Sequence, residues 1–266
     1  MSALGKLRAR ARRRLEARRE RRLAATRLVR AFARSYPEAF VIEIGANDGV
    51  EHDPIRDHLA AGGWRALMVE PAASAFARLR RNYAGAAPRV ALVNAAVADH
   101  DGEVELHELE WVEDGGGRRL DVFGSLSEHA VRTSAEIFVP TEHRRIVRTT
   151  VPCLTLRSLC RRHRVERIDL LVIDVEGYDF EVVKQVDFTQ LRPRLLAYEH
   201  LLLSPADREA CEALVRDHGY ETLAERRDTW CLDTTIADPL TDFWRRLRPA
   251  VGADSIYSEP TAEERR

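Results

Sequence analysis

Four acidic residues of this 266-residue chain each stand in or directly after a short apolar run. They are Glu43, Glu70, Asp174 and Glu199. Short β-branched runs bounded by Gly or Pro are typical of buried strands. The carboxyl ends of parallel strands meet at one edge of a sheet, and ligands bind in the crevice outside that edge. We therefore expect the four carboxylates to line one crevice, which would suit a cationic or hydroxyl-rich ligand.

The turn after the first of these runs has the composition of a nucleotide site. Residues 40–49 read FVIEIGANDG, with Gly45 and Gly49 bounding the turn. The spacing departs from the dinucleotide fingerprint G-x-G-x-x-G, because Asn47 stands where a second Gly would be. Glu70 follows Gly49 by 21 positions, close to the offset of about 20 at which an acid reaches a ribose. The pattern predicts a cofactor that contains an adenosine.

Charge separates the two cofactors that this turn could hold. No basic residue lies between Gly45 and Gly49 to meet a pyrophosphate, and Asp48 would repel one. S-adenosylmethionine (SAM) has no phosphate and carries a sulfonium and an ammonium group. An acid-rich crevice therefore favours SAM over NAD.

The elements that position these residues alternate between strands and helices along the chain. This alternation predicts right-handed crossovers and an α/β fold with a mostly parallel sheet. The run 168–174 is the most apolar and suits the centre of a sheet covered on both faces. Residues 220–223 and 229–232 are expected to close the sheet as an antiparallel pair.

The domain organisation follows from charge and periodicity. Residues 1–34 hold thirteen Lys or Arg and two Glu, which gives them a charge of +11. Because the net charge of the whole chain is −1, the remaining residues carry −12. We interpret residues 1–34 as a basic helical extension, 35–250 as the catalytic domain, and 251–266 as a disordered tail. Periodicity fails over about 111–148, which predicts irregular structure acting as a lid or acceptor-binding insertion, with a disordered surface loop as the alternative.

Several broad features bound the setting of the protein. The sequence shows no run of about 20 apolar residues that could span a membrane and no apolar leader, and its four cysteines are scattered without CxxC spacing. These features favour a reduced, cytoplasmic location. The basic extension is either a solvated helix or an arm that meets an acidic partner, and homo-oligomerisation through it stays open.

Six segments, taken in order, resemble the FkbM family of SAM-dependent methyltransferases. They are EIGANDG, GWRALMVEP, NAAVADHDGEVELH, VPCLTLRSL, IDLLVIDVEGYDFEVV and YEH, and together they cover about residues 40–200. The resemblance implies a class I (Rossmann-like) methyltransferase fold with helices on both faces of a seven-stranded sheet of order 3-2-1-4-5-7-6. It also implies O-methylation of a hydroxyl on a small molecule: a natural product, sugar or glycolipid.

The resemblance also assigns roles to residues. It places one group along the methionine part of SAM, Glu70 at the ribose, a second group near the adenine, and Asp174 near the transferring methyl. The methionine group is Glu43, Gly45, Asn47 and Gly49; the adenine group is Ala96, Val97 and Asp99.

Catalysis requires an acceptor oxygen placed in line with the methyl group. Positioning supplies about 7–11 kcal/mol, whereas a general base contributes about 10²–10⁴-fold. His200, which directly follows a strand-end acid, is the first candidate base. Glu176 and Asp174 are further catalytic candidates, and His129 and His143 are candidates from the insertion.

A metal ion is a second route to an activated hydroxyl. Asp174, Glu199 and His200 would form an oxygen-rich set suited to Mg²⁺ if their side chains converge. The sequence leaves this convergence open.

Two other function classes remain. One is a nucleic-acid methyltransferase that uses the basic arm, and the other is a non-catalytic SAM-binding scaffold. The arm lacks the interleaved aromatic residues on which bases stack, and the acidic domain repels phosphates, so a nucleic-acid partner is disfavoured.

Overall fold

The computed structural model describes residues 23–50, 53–111, 120–138 and 144–248. The described helices are α1 (Ala24–Ser35), α2 (Arg56–Ala61), α3 (Ala73–Asn82), α4 (Glu128–Phe138), α5 (Leu156–Arg162), α6 (Asp179–Val183), α7 (Pro205–Asp217) and α8 (Pro239–Leu247). The described strands are β1 (Phe40–Ile44), β2 (Arg65–Val69), β3 (Val90–Val93), β4 (Ala96–Val97), β5 (Gly102–Trp111), β6 (Leu120–Ser125), β7 (Arg144–Leu154), β8 (Leu170–Ile173), β9 (Leu195–Glu199), β10 (Tyr220–Glu225) and β11 (Asp228–Asp233).

The main sheet has seven strands in the order β3-β2-β1-β8-β9-β11-β10. Strand β11 runs antiparallel to both β9 and β10, and the other pairings are parallel. Numbered by their succession in this sheet, the strands have the order 3-2-1-4-5-7-6, which confirms the predicted topology. Ile44 lies opposite both Val69 and Ile173, so β1, β2 and β8 end at one level.

Helices cover the sheet on both faces. Every residue of β8 is buried, as a strand covered on both faces requires. Residues of α1, α2, α3 and α8 share one apolar cluster, which includes Phe32, Trp64 and Trp244. Residues of α5, α6 and α7 share another on the opposite face, which includes Leu159 and Val215.

The described part of the predicted N-terminal helix packs against the domain. Phe32 is fully buried in the cluster that also contains Trp244 of α8. The Glu225 carboxylate accepts hydrogen bonds from the first two backbone N–H groups of α1, at 2.8 Å each, and so caps the helix. Residues 1–22, which include most of the basic arm, lie outside the described residues.

A second sheet of four strands, in the order β4-β7-β5-β6, stands beside the first. The expectation of irregular structure over 111–148 is wrong for the described part of that segment, which forms β6, α4 and the start of β7. Strand β7 pairs with β5 from Gly102–Cys153 to Trp111–Arg144. The first half of β7 is mostly exposed, so its sequence shows no alternation of apolar and polar residues. Backbone pairing with the distant strand β5 stabilises it instead. Residues 112–119 and 139–143 of the segment, and the predicted tail 251–266, lie outside the described residues.

No helix in the described ranges is both long and apolar enough to cross a bilayer.

Candidate active site

A cavity of about 1170 Å³ opens at the carboxyl ends of β1, β2, β8 and β9. Residues of β5 and β6 form part of its wall, and the turn between β10 and β11 contributes another part. Two arginines, Arg226 and Arg227, line it together with nine acidic side chains. The acidic residues are Glu43, Asp53, Glu70, Glu108, Asp174, Glu176, Glu199, Glu225 and Asp228.

Glu70, at the end of β2, is held by two backbone amides. Its Oε2 accepts from the N–H of Asn47 at 2.9 Å, and its Oε1 accepts from the N–H of Ala72 at 2.8 Å. Burial raises the pKa of Glu70 to about 7, although the two amide bonds lower it. An ionised carboxylate has about four lone-pair sites, so each oxygen retains capacity to accept a ligand hydroxyl.

The turn after β1 adopts a shape that favours glycine. Gly45 has φ +85°, and a Cβ at this position would lie 1.7 Å from the carbonyl oxygen of Asp174. The turn therefore passes directly over the end of β8, and only Gly fits. Asp48 does not belong to the cavity lining, because its Oδ1 accepts from the N–H of Val50 at 2.9 Å within the turn. Asp48 is therefore not placed to repel a pyrophosphate in the cavity, contrary to the expectation from the sequence.

Two further carboxyl groups lie beside this turn, the buried Glu43 and the half-buried Asp53. Burial, followed by the charges of Asp53 and Asp174, raises the pKa of Glu43 well above its ordinary value. Glu43 Oε2 has no hydrogen-bond partner among the described residues. Burial also raises the pKa of Asp53 to about 6, although Asp53 Oδ1 accepts N–H bonds at the start of α2.

These groups fit SAM. A carboxylate that is buried and repelled by its neighbours gains from a cation placed beside it. The ammonium and sulfonium of SAM would meet that need, whereas a pyrophosphate would add to the repulsion. The unpartnered Glu43 Oε2 is an acceptor available to such a ligand.

The loop from β8 to α6 presents Asp174 and Glu176 to the cavity. Glu176 and Gly177 both have positive φ, +53° and +91°. The buried side chain of Asp179 pins this loop, since its Oδ2 accepts from the N–H of Gly177 at 3.0 Å. Its Oδ1 lies 3.3 Å from the backbone N–H of Glu199, which ties the loop to the end of β9.

Glu199 ends β9 and is 2% exposed. Its Oε1 forms an ion pair at 2.7 Å with Arg227, which lies in the turn between β10 and β11. Burial, followed by the charges of Glu176 and Asp174, raises the pKa of Glu199 well above its ordinary value. One carboxylate oxygen each from Asp174, Glu176 and Glu199 lies within 4.8 Å of the others.

Seven of the nine residues assigned to the cofactor line the cavity: Glu43, Gly45, Asn47, Glu70, Ala96, Val97 and Asp174. Gly49 and Asp99 do not line it. Gly49 faces Tyr83, whose ring carbon Cε2 would lie 2.5 Å from an added Cβ. Asp99 is exposed, with its Oδ1 2.7 Å from His100 Nδ1.

The predicted catalytic residues divide in the same way. Glu176 and Asp174 line the cavity, but His200 does not. His200 is buried, with its Nδ1 2.9 Å from Thr229 Oγ1, and burial lowers its pKa to about 4. The structure therefore does not bring His200 to the carboxylates with which it was grouped as a metal ligand. His129 is exposed on α4, and His143 lies outside the described residues.

Sequence reasoning assigns no role to four of the nine acidic lining residues, Asp53, Glu108, Glu225 and Asp228, or to the buried Asp179 next to the cavity loop. Asp53 also caps α2, where its Oδ1 accepts from the N–H groups of Ile55 and Arg56. Asp179 had a usable signal, because it closes the motif DVEGYD of residues 174–179. Asp228 lies at the β10–β11 hairpin, and nothing in the sequence around it indicates that this hairpin reaches the cavity. Burial raises the pKa of Asp228 to about 7.

The order of the main sheet and the acidic cavity at its strand ends define a class I methyltransferase. The family model described as "Methyltransferase FkbM domain" matches residues 43–222. The chain therefore belongs to the FkbM family of SAM-dependent methyltransferases.

Individual relatives are distant. The chain is 28% identical over 172 residues to the 2-O-methyltransferase NoeI of Sinorhizobium fredii, a match covering 62% of this chain and 64% of that protein. It thus spans slightly less than two thirds of this curated relative. Among solved structures, the FkbM methyltransferase of Methylobacillus flagellatus matches 73% of this chain and 43% of its own, at 11% identity and a TM-score of 0.46. A putative caffeoyl-CoA O-methyltransferase of Staphylococcus aureus matches 78% and 82%, at 11% identity and a TM-score of 0.41.

Proposed function

We propose that this chain is an O-methyltransferase that acts on a hydroxyl of a small molecule such as a natural product, a sugar or a glycolipid. The observation that carries the proposal is the acid-lined cavity shared between the strand ends of the main sheet and the second sheet. At about 1170 Å³ it exceeds the range of about 300–1,000 Å³ typical of ligand pockets. It therefore has room for a cofactor and a small acceptor together. The name of the relative NoeI, a 2-O-methyltransferase, supports the choice of oxygen as the acceptor atom.

The residues at the β1 and β2 ends would hold the cofactor. Glu70 would accept hydrogen bonds from the ribose hydroxyls while its two amide bonds keep it in place. Glu43 and the backbone of the Gly45 turn would contact the methionine part, and Ala96 and Val97 would contact the adenine. When bound, SAM supplies an electrophilic methyl group on its sulfonium.

The second sheet would supply the acceptor side. Leu106, Gly124 and Leu126 line the cavity from this sheet and its edge. Ser125 Oγ donates to the carbonyl of Val175 at 3.3 Å, which joins the sheet to the loop that carries Asp174. An acceptor between this wall and that loop would be positioned and shielded from water, and such positioning supplies about 7–11 kcal/mol. Asp174 and Glu176 would face its hydroxyl.

The charge of the cavity favours a small acceptor over a nucleic acid. Nine acidic side chains and two arginines line it, and a phosphate backbone requires the reverse balance. The basic residues of the N-terminal arm lie mostly outside the described residues, so the arm's role stays a prediction.

Mass spectrometry tests the proposal directly. The full chain is incubated with SAM and a library of hydroxylated metabolites, and products that gain one methyl group are sought. We expect a product with the wild type and with Glu166→Gln, because Glu166 is exposed just before β8, away from the carboxyl ends of the strands. We expect loss of at least about 10²-fold with Asp174→Asn.

Two results would count against this function. One is methylation of RNA with no small-molecule product, which would favour the nucleic-acid alternative. The other is tight SAM binding without any turnover, which would favour the scaffold alternative.

A further inference from the structure

Three carboxylates converge at the end of the cavity formed by β8 and β9. One oxygen each from Asp174, Glu176 and Glu199 lies within 4.8 Å of the other two. Oxygen ligands around Mg²⁺ at about 2.1 Å stand about 3.0–4.2 Å apart, and those around Ca²⁺ at about 2.4 Å stand about 3.4–4.8 Å apart. The spacing therefore suits a single hard divalent cation.

A second observation points to a ligand at this place. Glu199 is 2% exposed, and its Oε2 has no hydrogen-bond partner in the part of the chain that the structure describes. Leaving a buried charged oxygen without a partner is costly. Glu176 Oε2 is a buried atom in the same condition. A cation between the two carboxylates would satisfy both oxygens.

The charge balance also fits a divalent ion. Arg227 Nη2 lies 2.7 Å from Glu199 Oε1 and offsets one of the three carboxylate charges. The remaining formal charge of the cluster is −2. The guanidinium contacts the oxygen of Glu199 that is opposite to the unpartnered one, so it leaves Oε2 accessible to a metal.

Hydrogen bonds within the protein fix the backbone of the proposed ligand residues independently of a metal. The buried Asp179 accepts from the N–H of Gly177, next to Glu176, and approaches the N–H of Glu199. It thereby fixes the backbone that carries two of the ligands, as outer residues of metal sites commonly do. Gly177 is required there, because an added Cβ would lie 2.7 Å from Ala130 Cβ of α4.

We propose that Asp174, Glu176 and Glu199 bind one hard divalent cation, such as Mg²⁺, Mn²⁺ or Ca²⁺, in this cavity. The ligand set differs from the one suggested by the sequence, since Glu176 takes the place of His200. The further idea that the cation would coordinate the acceptor hydroxyl rests on the proposed function. Binding of the metal itself does not.

The test is a titration of Mn²⁺ into the metal-free full chain, with free Mn²⁺ followed by electron paramagnetic resonance. We expect one saturable site in the wild type and binding at least about tenfold weaker in Glu176→Gln and Glu199→Gln. Glu108→Gln is the matched control, because Glu108 lines the same cavity outside the cluster and bonds to Thr149 at 2.9 Å. Its Mn²⁺ affinity should equal that of the wild type.

Two outcomes would overturn the site: no saturable Mn²⁺ binding by the wild type, or unchanged affinity in both cluster variants. Thermal melting establishes that each variant is folded. If Glu199→Gln fails to fold because Arg227 loses its charged partner, the Glu176→Gln comparison decides. The titration contains neither SAM nor acceptor, so a chain that binds Mn²⁺ but methylates nothing overturns only the proposed function. Methyl transfer by a chain that binds no Mn²⁺ overturns only the metal site.

Discussion

Replacing Glu70 with Ala tests the cofactor site most directly. We expect Glu70→Ala to weaken SAM binding, because the carboxylate would accept hydrogen bonds from the ribose while the N–H groups of Asn47 and Ala72 hold it at 2.9 and 2.8 Å. A hydrogen bond to a charged group contributes about 1.5–3 kcal/mol. Loss of two such bonds corresponds to about 3–6 kcal/mol, or about 10²–10⁴-fold in affinity.

A loss of affinity alone would be ambiguous, because Glu70 also orders the turn at Asn47. The sharper measurement compares adenosine with 2′-deoxyadenosine by calorimetry, in the wild type and in Glu70→Ala. One missing hydroxyl should weaken binding about 10–100-fold in the wild type. The preference should disappear in the variant, which is the signature of a direct contact in a double-mutant cycle. A preference that survives in a folded Glu70→Ala variant would refute the ribose role.

The remaining predictions concern stability. The pKa of Glu70 in the folded chain, about 7, lies above its ordinary 4.5. The protonated carboxyl group therefore stabilises the folded state below pH 4.5, and this stabilisation is lost as the pH rises through about 7. Urea unfolding of the ligand-free chain should show about 3 kcal/mol of this loss, absent in Glu70→Ala. Gly45→Ala should cost at least about 4 kcal/mol, because its Cβ would overlap a main-chain oxygen at 1.7 Å. Gly62→Ala, with φ +98° and no neighbour within 4 Å, should cost about 1–2 kcal/mol; equal urea midpoints would contradict this reasoning. Arg194, which is 4% exposed, forms an ion pair with Asp238. Arg194→Met should lower the free energy of unfolding by about 3–5 kcal/mol in the same urea assay, because the Asp238 carboxylate loses its charged partner. An unchanged urea midpoint would contradict this prediction.

The main sheet was predictable because its signals are local. Each of its central strands is a short apolar run bounded by Gly, Pro or acidic residues, and β8 is buried along its whole length. Chirality of the crossovers then limits the ways in which such strands can be ordered. Only the resemblance to the FkbM family supplied the full order, which the structure confirms.

The second sheet was not predictable in the same way. Strand β7 is exposed over much of its first half, so burial leaves no period in its sequence. Its partner β5 lies 33 residues earlier at the pair Trp111–Arg144 and 51 residues earlier at the pair Gly102–Cys153. Pairing at such separation depends on the rest of the fold, and single-sequence periodicity does not report it.

The sequence by itself determined that acidic residues stand at the ends of the buried strands, because strand boundaries follow from local hydrophobicity. Tertiary structure decided which of their atoms meet. Glu199 and His200 are neighbours in sequence, yet Glu199 lines the cavity while His200 turns to Thr229. Successive side chains along a strand point to opposite faces, so adjacency to a site residue does not place a side chain in the site. Glu176 joins the cluster because the loop after β8 turns back through left-handed conformations, pinned by Asp179.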